Sequence, residues 1–572
     1  MAVTEMLKTL HGTIAPREIL PLSHRFGHLL TPPPQPNGPS PLVAFAPLTT
    51  QLPIAELTAK IARLVRLETA RSPLVISLTP HQAAFTLTNW LNSPPHLNGT
   101  FALTQFLDAS HKGSDWLEAS IGDDAEEIIA LQKLLSHAGE HYTHVLLLAS
   151  AELKADVLCG ALGLVDKAFL LLRQSPNQVY NYHLITKELE SLASGHKPHL
   201  KPLLYLEEGE LAHGFTELFY RTEEIDPPAL YGRMTSEGVG SLQVLRDCGG
   251  AREIQLRGLA REIAGTRIGL ALSSGGAKGL SHIGVIQVLE ENGIGVDVVA
   301  GCSMGAYVGS LWAHGHDGHL IEDLAGEVKG RWGFCKLLDP AFPPRRGFIY
   351  GSSVRRRLER TIGEAHFSDM VRPLRIVATN IDTLERAVFA SGKVASAVHA
   401  SSAIPGVCVP VSIGNETFVD GGVSDPLPVD VLREMGVEHI IAVNTIPTPA
   451  YLRCVRDLER EQTEAAPKRF SVWQFLNRHF NYFSPGNILD NLMRSVHGAQ
   501  IRVAEEACRQ ADVVLRPLSC DGKWHEFSKP AKYISLGRLA AQEQIDEIRK
   551  LARGKETHES ADTAQSRMAV AA

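Results

Sequence analysis

Most of the chain reads as α/β, arranged as two successive domains. Three observations predict this. Short apolar runs of strand length alternate with amphipathic stretches of helix length. At 572 residues the chain is too long for one typical core. Two glycine-rich turns, Ser274–Gly279 and Gly301–Gly305, each fall where an apolar run gives way to a helical one.

Taken in order, residues 1–40 form an N-terminal segment ending in the Pro-rich stretch "TPPPQPNGPSP" (31–41), read as a linker. Five apolar runs then read as strands buried on both faces: 42–48, 74–79, 144–150, 167–174 and 202–207. "IAELTAKIARLVRLE" and "DAEEIIALQKLLSHA" between them have the period of amphipathic helices. This alternation predicts a parallel sheet in a first domain over 41–210. Residues 211–265 read as a less patterned connector ending in the helix "REIQLRGLAREIAG". A second α/β domain follows over 266–450. Residues 451–553 read as mainly helical, with one strand at "ADVVLRPL", and complete that domain. The tail 554–572 is small and polar and is expected to be disordered.

Composition narrows the function classes. A formal net charge of -7 argues against a general nucleic-acid binder, whose footprint is basic. The eight cysteines form no CxxC pair, so neither a structural zinc site nor a disulfide framework is expected. No metal constellation stands out elsewhere. The N-terminus lacks a secretory pattern, and Glu152, Lys154, Asp156 and Asp166 interrupt the longest apolar stretch. The expectation is a cytoplasmic protein without a spanning helix, with peripheral contact at the inner membrane face open to it.

The two glycine turns invite two chemistries. A Walker A loop needs Gly-Lys followed by Ser or Thr, but Lys278 follows Ala277 and precedes Gly279. A dinucleotide fingerprint needs Gly-x-Gly-x-x-Gly, and the spacing of Gly275, Gly276 and Gly279 fails it. The second turn, "GCSMG", fits a nucleophile elbow. "VDVVAG" reads as a buried strand, "SMGAYVGSLWAHG" as a helix, and Ser303 stands at the join between Gly301 and Gly305. Such an elbow brings backbone against backbone, which small flanking residues permit. Its helix N-terminus offers N–H groups to a developing oxyanion. The bland alternative is a packing turn: at ~7% Gly, a Gly-x-Ser-x-Gly arises by chance in about one chain in five of this length.

The first turn then gains a role. Gly275, Gly276 and Ala277 lie between a strand and a helix, as an oxyanion hole of bare backbone requires. Lys278 reads equally as a surface helix-start residue or as positive charge at the site. For a base, Asp420 follows a short apolar strand and precedes Gly421-Gly422. Asp425 and Asp430 are nearby alternatives, but Pro426 and Pro428 mark them as turn and helix-start residues. An Asp that merely stabilises its own turn is the competing reading. His282, His399 and His439 are the histidines weighed for a Ser-His-Asp triad.

The blocks "SSGGAKGLSHIGVIQVLEENGI", "GCSMGA", "AVHASSAIPGVCVPV" and "DGGVSDPLPVDVL" together resemble the patatin-like phospholipase family over roughly 256–445. The helix "LAREIAG" before the first strand resembles the neuropathy target esterase branch. The first domain resembles ParA/MinD-type P-loop ATPases in layout alone. Its turn "PLTTQLPIAELTAK" lacks Gly-x4-Gly-Lys-Ser/Thr, so it reads as a degenerate, regulatory module. The resemblance implies a three-layer α/β/α catalytic domain and a cofactor-free Ser–Asp dyad. Ser303 would be the nucleophile, Asp420 the base, and Gly275, Gly276, Ala277 and Lys278 the oxyanion hole. It implies phospholipid, lysophospholipid or other acyl ester substrates. Two departures from the family pattern stand out. Ser274 replaces the first of three glycines, and Lys278 replaces an arginine, keeping charge but losing the bidentate fork. The aromatic stretch 469–493 reads as a helix that packs on its own domain, or else docks on lipid. A catalytically silent scaffold is the remaining alternative.

Overall fold

The computed structural model describes residues 41–87 (without 82 and 84), 114–191, 198–215 (without 208, 211, 213 and 214), 243–246, 249–327, 339–448, 451, 453, 457, 488–518 and 526–553. The Pro-rich stretch 31–40, the aromatic run 469–487 and the tail 554–572 lie outside the described residues. The described residues fall into two compact units, one within Met1–Arg66 and Arg71–Pro202, the other within Leu67–Ala70 and Leu203–Ala572.

In the first stretch the elements are β1 (Leu42–Pro47), α1 (Ile54–Thr69), β2 (Leu74–Thr79), β3 (Phe85–Thr86), β4 (Asp115–Ser120), α2 (Ala125–His141), β5 (Val145–Ala149), α3 (Ala155–Leu162), β6 (Lys167–Leu172), α4 (Pro176–Ser191) and β7 (His199–Leu206). The sheet order is β3-β4-β2-β5-β1-β6-β7, extended by β8 (Gln243–Arg246). β1 lies parallel to both β5 and β6, and every residue of β1 is buried. This is why "LVAFAP" is apolar throughout: helices cover both faces of a parallel sheet. β4 escaped the sequence reading because Asp115 and Glu118 break its apolar run, although Trp116, Leu117 and Ala119 are buried.

The stretch expected as a connector carries β8 and a 16-residue helix, α5 (Gly249–Ala264). Next come β9 (Ile268–Leu272), a 3-10 turn (Gly276–Leu280), α6 (Ser281–Glu291), β10 (Val298–Cys302), α7 (Met304–His314) and α8 (Gly318–Gly326). The chain continues through α9 (Ser352–Ile362), β11 (Leu374–Asn380), β12 (Arg386–Phe389), α10 (Val394–Ser401), β13 (Val411–Ile413), β14 (Glu416–Asp420), α11 (Val429–Glu434) and β15 (His439–Val443). It closes with α12 (Ile488–Arg509), β16 (Val513–Leu515), α13 (Pro530–Glu543) and α14 (Ile545–Arg553).

The second sheet runs β13-β14-β11-β10-β9-β15-β16. Its centre, β11-β10-β9-β15-β16, is parallel, whereas β12 and β14 pair antiparallel with β11. Alternate residues of each central strand feed two separate cores. Leu270, Leu272, Val299, Ile376 and Ile441 pack with α6, α7 and α13, while Ala271, Val298, Ala300, Val377 and Ile440 pack with α11 and α12. Two cores on opposite faces of one sheet make three layers. The C-terminal helix α13 belongs to this architecture: a Cβ at Gly537 would stand 1.9 Å from Ser281 O, so the two backbones touch. Among the described residues no helix is long and apolar enough to cross a membrane.

Candidate active site

β10 ends at Cys302, paired with Val377 of β11, and β14 ends at Asp420, paired with Ala378 of the same strand. One central strand therefore brings the residue after Cys302 level with Asp420. That residue, Ser303, has φ 53 and ψ -117. For a residue with a side chain this is a sparsely populated backbone, costing about 1–3 kcal/mol that surrounding contacts must hold in place. The Ser303 N–H donates to Ser401 Oγ at 2.8 Å, and Ser401 Oγ donates to Val377 O at 2.6 Å. The strained residue is thus tied through the last residue of α10 to the central strand. Sequence reasoning gave Ser401 no role, since nothing local marks a serine in "HASSAIP" as a support for a turn 98 positions away.

The elbow packs as its glycines predict. A Cβ at Gly305 would lie 2.2 Å from Leu272 O and 2.7 Å from Ser273 O, and one at Gly301 would lie 2.6 Å from Gly305 O. These are rigid backbone atoms, so α7 would have to lift off β9. Gly305→Ala is expected to cost at least about 3 kcal/mol, as overpacking against backbone does. Denaturant unfolding checks this, and a loss below about 1 kcal/mol would contradict the packing described.

Ser303 Oγ donates to Asp420 Oδ2 at 2.6 Å, and the second carboxylate oxygen accepts the Gly422 N–H at 2.7 Å. Both residues are about 5% exposed or less. Burial pushes the Asp420 carboxyl up to about 6, against the opposing pull of the Ser303 and Gly422 hydrogen bonds. The thiol of Cys302 lies 4.0 Å from Asp420 Oδ1 and is pushed well above its usual range, by burial first and then by the Asp420 charge. It is a packing residue beside the pair.

The first glycine turn stands against the start of α7: a Cβ at Gly279 would meet Met304 Cγ at 2.6 Å. Gly276 has φ 56, a left-handed conformation that glycine adopts at no steric cost. The turn is held from the neighbouring strand. Thr445 N donates to Ser273 Oγ at 2.9 Å, and Thr445 Oγ1 donates to Ser274 O at 2.9 Å. Ser274 N donates to Pro426 O at 2.8 Å, so this amide is already used. A side chain is therefore acceptable where the family pattern has its first glycine. The Lys278 N–H closes the turn onto Gly275 O at 3.2 Å, so this amide is already used. Lys278 is half-buried, its Nζ 4.9 Å from the Tyr451 ring centroid, and burial followed by the Lys532 charge lowers its ammonium to about 8.

The remaining candidates go elsewhere. Asp425 pairs with Arg386 at 3.2 Å, and Asp430 lies in α11. His282 Nε2 bonds to Ser273 O at 2.9 Å, and burial lowers its imidazole to about 4. His399 Nε2 meets Tyr350 O at 3.0 Å, and His439 opens β15 opposite Ile268. Among the described residues no histidine hydrogen-bonds to Ser303 or Asp420. One group there does have metal-ligand spacing. His137, Glu140 and His141, at the exposed end of α2, bring three ligand atoms within 4.8 Å of one another, a constellation that sequence reading passed over.

Sheet, strained elbow and hydrogen-bonded carboxylate define an α/β domain built around a Ser–Asp pair. Residues 270–433 match the model of the family described as patatin-like phospholipase. The chain is similar to the Lysophospholipase NTE1 proteins of Cryptococcus neoformans (strain JEC21; 37% identity over 190 residues, 32% of this chain and 12% of that protein) and Pyricularia oryzae (33% over 301 residues, 51% and 19%). The Saccharomyces cerevisiae Lysophospholipase NTE1 is 29% identical over 302 residues, 50% of this chain and 17% of that protein. The match thus spans less than a fifth of these relatives' length. Among solved structures, VipD from Legionella pneumophila aligns at TM-score 0.27 and 15% identity, covering 50% of this chain and 67% of that one. A ParA family ATPase from Chlorobium tepidum aligns at TM-score 0.26 and 10% identity, covering 39% and 90%. Likenesses this low carry no argument about activity.

Proposed function

We propose that the second unit is a serine acyl hydrolase that cleaves lipid esters of the phospholipid or lysophospholipid type. One observation carries the reading: the 2.6 Å hydrogen bond from Ser303 Oγ, on a strained strand-to-helix elbow, to a buried carboxylate. Asp420 accepts the Ser303 proton as Oγ attacks the ester carbonyl. The tetrahedral oxyanion is met by the first amides of two helical turns, at Gly276 and Ala277 and at Met304, with Gly275 shaping the approach. The Lys278 ammonium adds positive charge on that side. The alcohol leaves with the proton held by Asp420. Water then attacks the acyl carbonyl as Asp420 takes its proton, and Asp420 returns that proton to Ser303 Oγ as the acyl bond breaks and the fatty acid leaves.

A carboxylate of ordinary pKa, about 3.9, is a weak base for a serine hydroxyl. Burial raises Asp420 toward the working pH, which strengthens it as a base while leaving it ionised at neutrality. A Ser-His-Asp triad lacks comparable support, because His282 is engaged with Ser273 O. The lysophospholipid preference rests on the NTE1 relatives. The first unit is read as a regulatory module, since its β1–α1 turn lacks a phosphate-binding glycine pattern. A reducing, cytoplasmic setting accords with the free thiols of the buried Cys159, Cys302, Cys408 and Cys508.

The test is hydrolysis of a short acyl nitrophenyl ester and of a lysophospholipid across pH. The value of kcat/KM should fall about tenfold per unit below pH ~6, as Asp420 takes up a proton and can no longer accept one. Full activity at pH 5 in protein that keeps its fold would remove Asp420 as the base. Folded protein that cleaves neither ester and takes no covalent serine probe would return the scaffold reading.

A further inference from the structure

The segment before α9 folds into a finger that buries little of what it carries. Asp339 staples its two ends: its carboxylate accepts from Gly351 N at 2.8 Å, Ser352 Oγ at 2.6 Å and Ser353 N at 3.1 Å. Two backbone bonds close the hairpin, Ala341 N to Phe348 O at 2.9 Å and Tyr350 N to Asp339 O at 2.9 Å. Its return strand is fixed to the loop after α10, through Phe348 N to Val407 O at 2.8 Å and Val409 N to Ile349 O at 2.9 Å. That same loop includes Ala403, whose carbonyl accepts the Asp420 N–H at 2.8 Å. The finger is therefore a built extension of the segment flanking the Ser–Asp pair.

Its tip is unusual for a water-facing loop. Phe342 at the tip is 90% exposed, and Tyr350 at the base of the hairpin, opposite Asp339, is 49% exposed. A single exposed aromatic is unremarkable, but these are held out on a stapled hairpin with Arg345 and Arg346 at the tip. Both arginines are exposed, and neither makes an ion pair among the described residues. Across 339–360 six arginines stand against two carboxylates, in a chain whose formal net charge is -7. Both carboxylates are engaged, Asp339 in the staple and with Arg356 at 3.7 Å and Glu359 with Arg355 at 3.4 Å, and Arg357 pairs with Glu327 outside this span at 3.0 Å. An exposed aromatic at the tip beside unpaired arginines suits the interface of an anionic bilayer, where a ring enters the headgroup layer and guanidiniums meet lipid phosphates.

We propose that the finger 339–351, with the arginines of α9 behind it, docks the second unit on anionic membrane surfaces and so presents the Ser303 site to lipid held there. Its biological sense rests on the hydrolase reading; the binding itself does not. The test is co-sedimentation of the full chain with phosphatidylcholine vesicles, with and without phosphatidylserine, at low and high salt. Wild type should partition onto the anionic vesicles and be released by salt. At about 1 kcal/mol per basic residue near the surface, Arg345→Ala with Arg346→Ala should weaken partitioning about 25-fold. Phe342→Ser should weaken it about tenfold or more, from the lost burial of a large apolar side chain. Arg509→Ala, on α12 and 75% exposed, is the control and should bind as wild type. Wild type that ignores anionic vesicles, or finger variants that partition within about twofold of it, would overturn the proposal. Hydrolysis of the water-soluble nitrophenyl ester separates this from the enzyme reading, since the finger variants should retain wild-type kcat/KM on it. Vesicle binding with no ester hydrolysis in wild type would sink the hydrolase and leave the docking surface standing. Hydrolysis with no vesicle binding would do the reverse.

Discussion

Ser303→Ala is expected to lower kcat/KM for acyl esters by about 10^4–10^6-fold, the scale seen when a nucleophile is removed from a covalent mechanism. The fold should survive. Ser303 Oγ is a donor to one acceptor, and its loss leaves Asp420 Oδ2 without that bond, while the Gly422 contact and the Ser401 tie to the backbone remain. The comparison must therefore be made on protein whose circular dichroism and melting temperature match wild type to within a few degrees. Activity within about tenfold of wild type would mean that Ser303 is a packing residue of a turn, the bland reading of a Gly-x-Ser-x-Gly.

Asp420→Asn separates function from stability in opposite directions. Activity should fall about 10^2–10^4-fold, because an amide cannot take the Ser303 proton. Stability at neutral pH should rise. The buried carboxylate titrates at about 6, above its usual 3.8, so the ionised form is disfavoured in the folded protein. That elevation is a destabilisation of up to about 3 kcal/mol at pH 7. It is fully present above pH ~6 and fades as wild type protonates between about pH 6 and 4. An asparagine carries no such charge. Its carbonyl oxygen can accept the Gly422 N–H, and its NH2 can donate to Ser303 Oγ. The variant should melt higher than wild type at pH 7.5 and together with it near pH 4. A variant that is less stable at both pH values would show that the carboxylate is not under the electrostatic load described.

The sequence carried the strands of both sheets where burial is complete, because a strand covered on both faces reads as a continuous apolar run. β1, β5 and β10 are of this kind, differing from expectation by a residue or two at their ends. It hid β4, with Asp115 and Glu118, and the antiparallel edge, since pairing direction leaves no mark in a short strand such as β13. The elbow was legible because close approach of α7 to β9 demands glycine at 305. Asp420 was legible only by its turn; what suits it to the proposed role of base is burial and its level with Ser303 across β11, both tertiary properties. For the same reason Ser401, whose hydroxyl holds the elbow, was invisible, and so was the finger, because nothing local in "AFPPRRGFIY" shows that Phe342 faces water.

The most direct test of the central claim is the site and rate of covalent labelling by a fluorophosphonate, read by intact mass and peptide mapping on the full chain. One adduct per chain is expected, mapped to Ser303, absent in Ser303→Ala and much slower in Asp420→Asn. A folded, ester-cleaving wild type labelled at another residue, or a Ser303→Ala variant labelled at the wild-type rate, would contradict it.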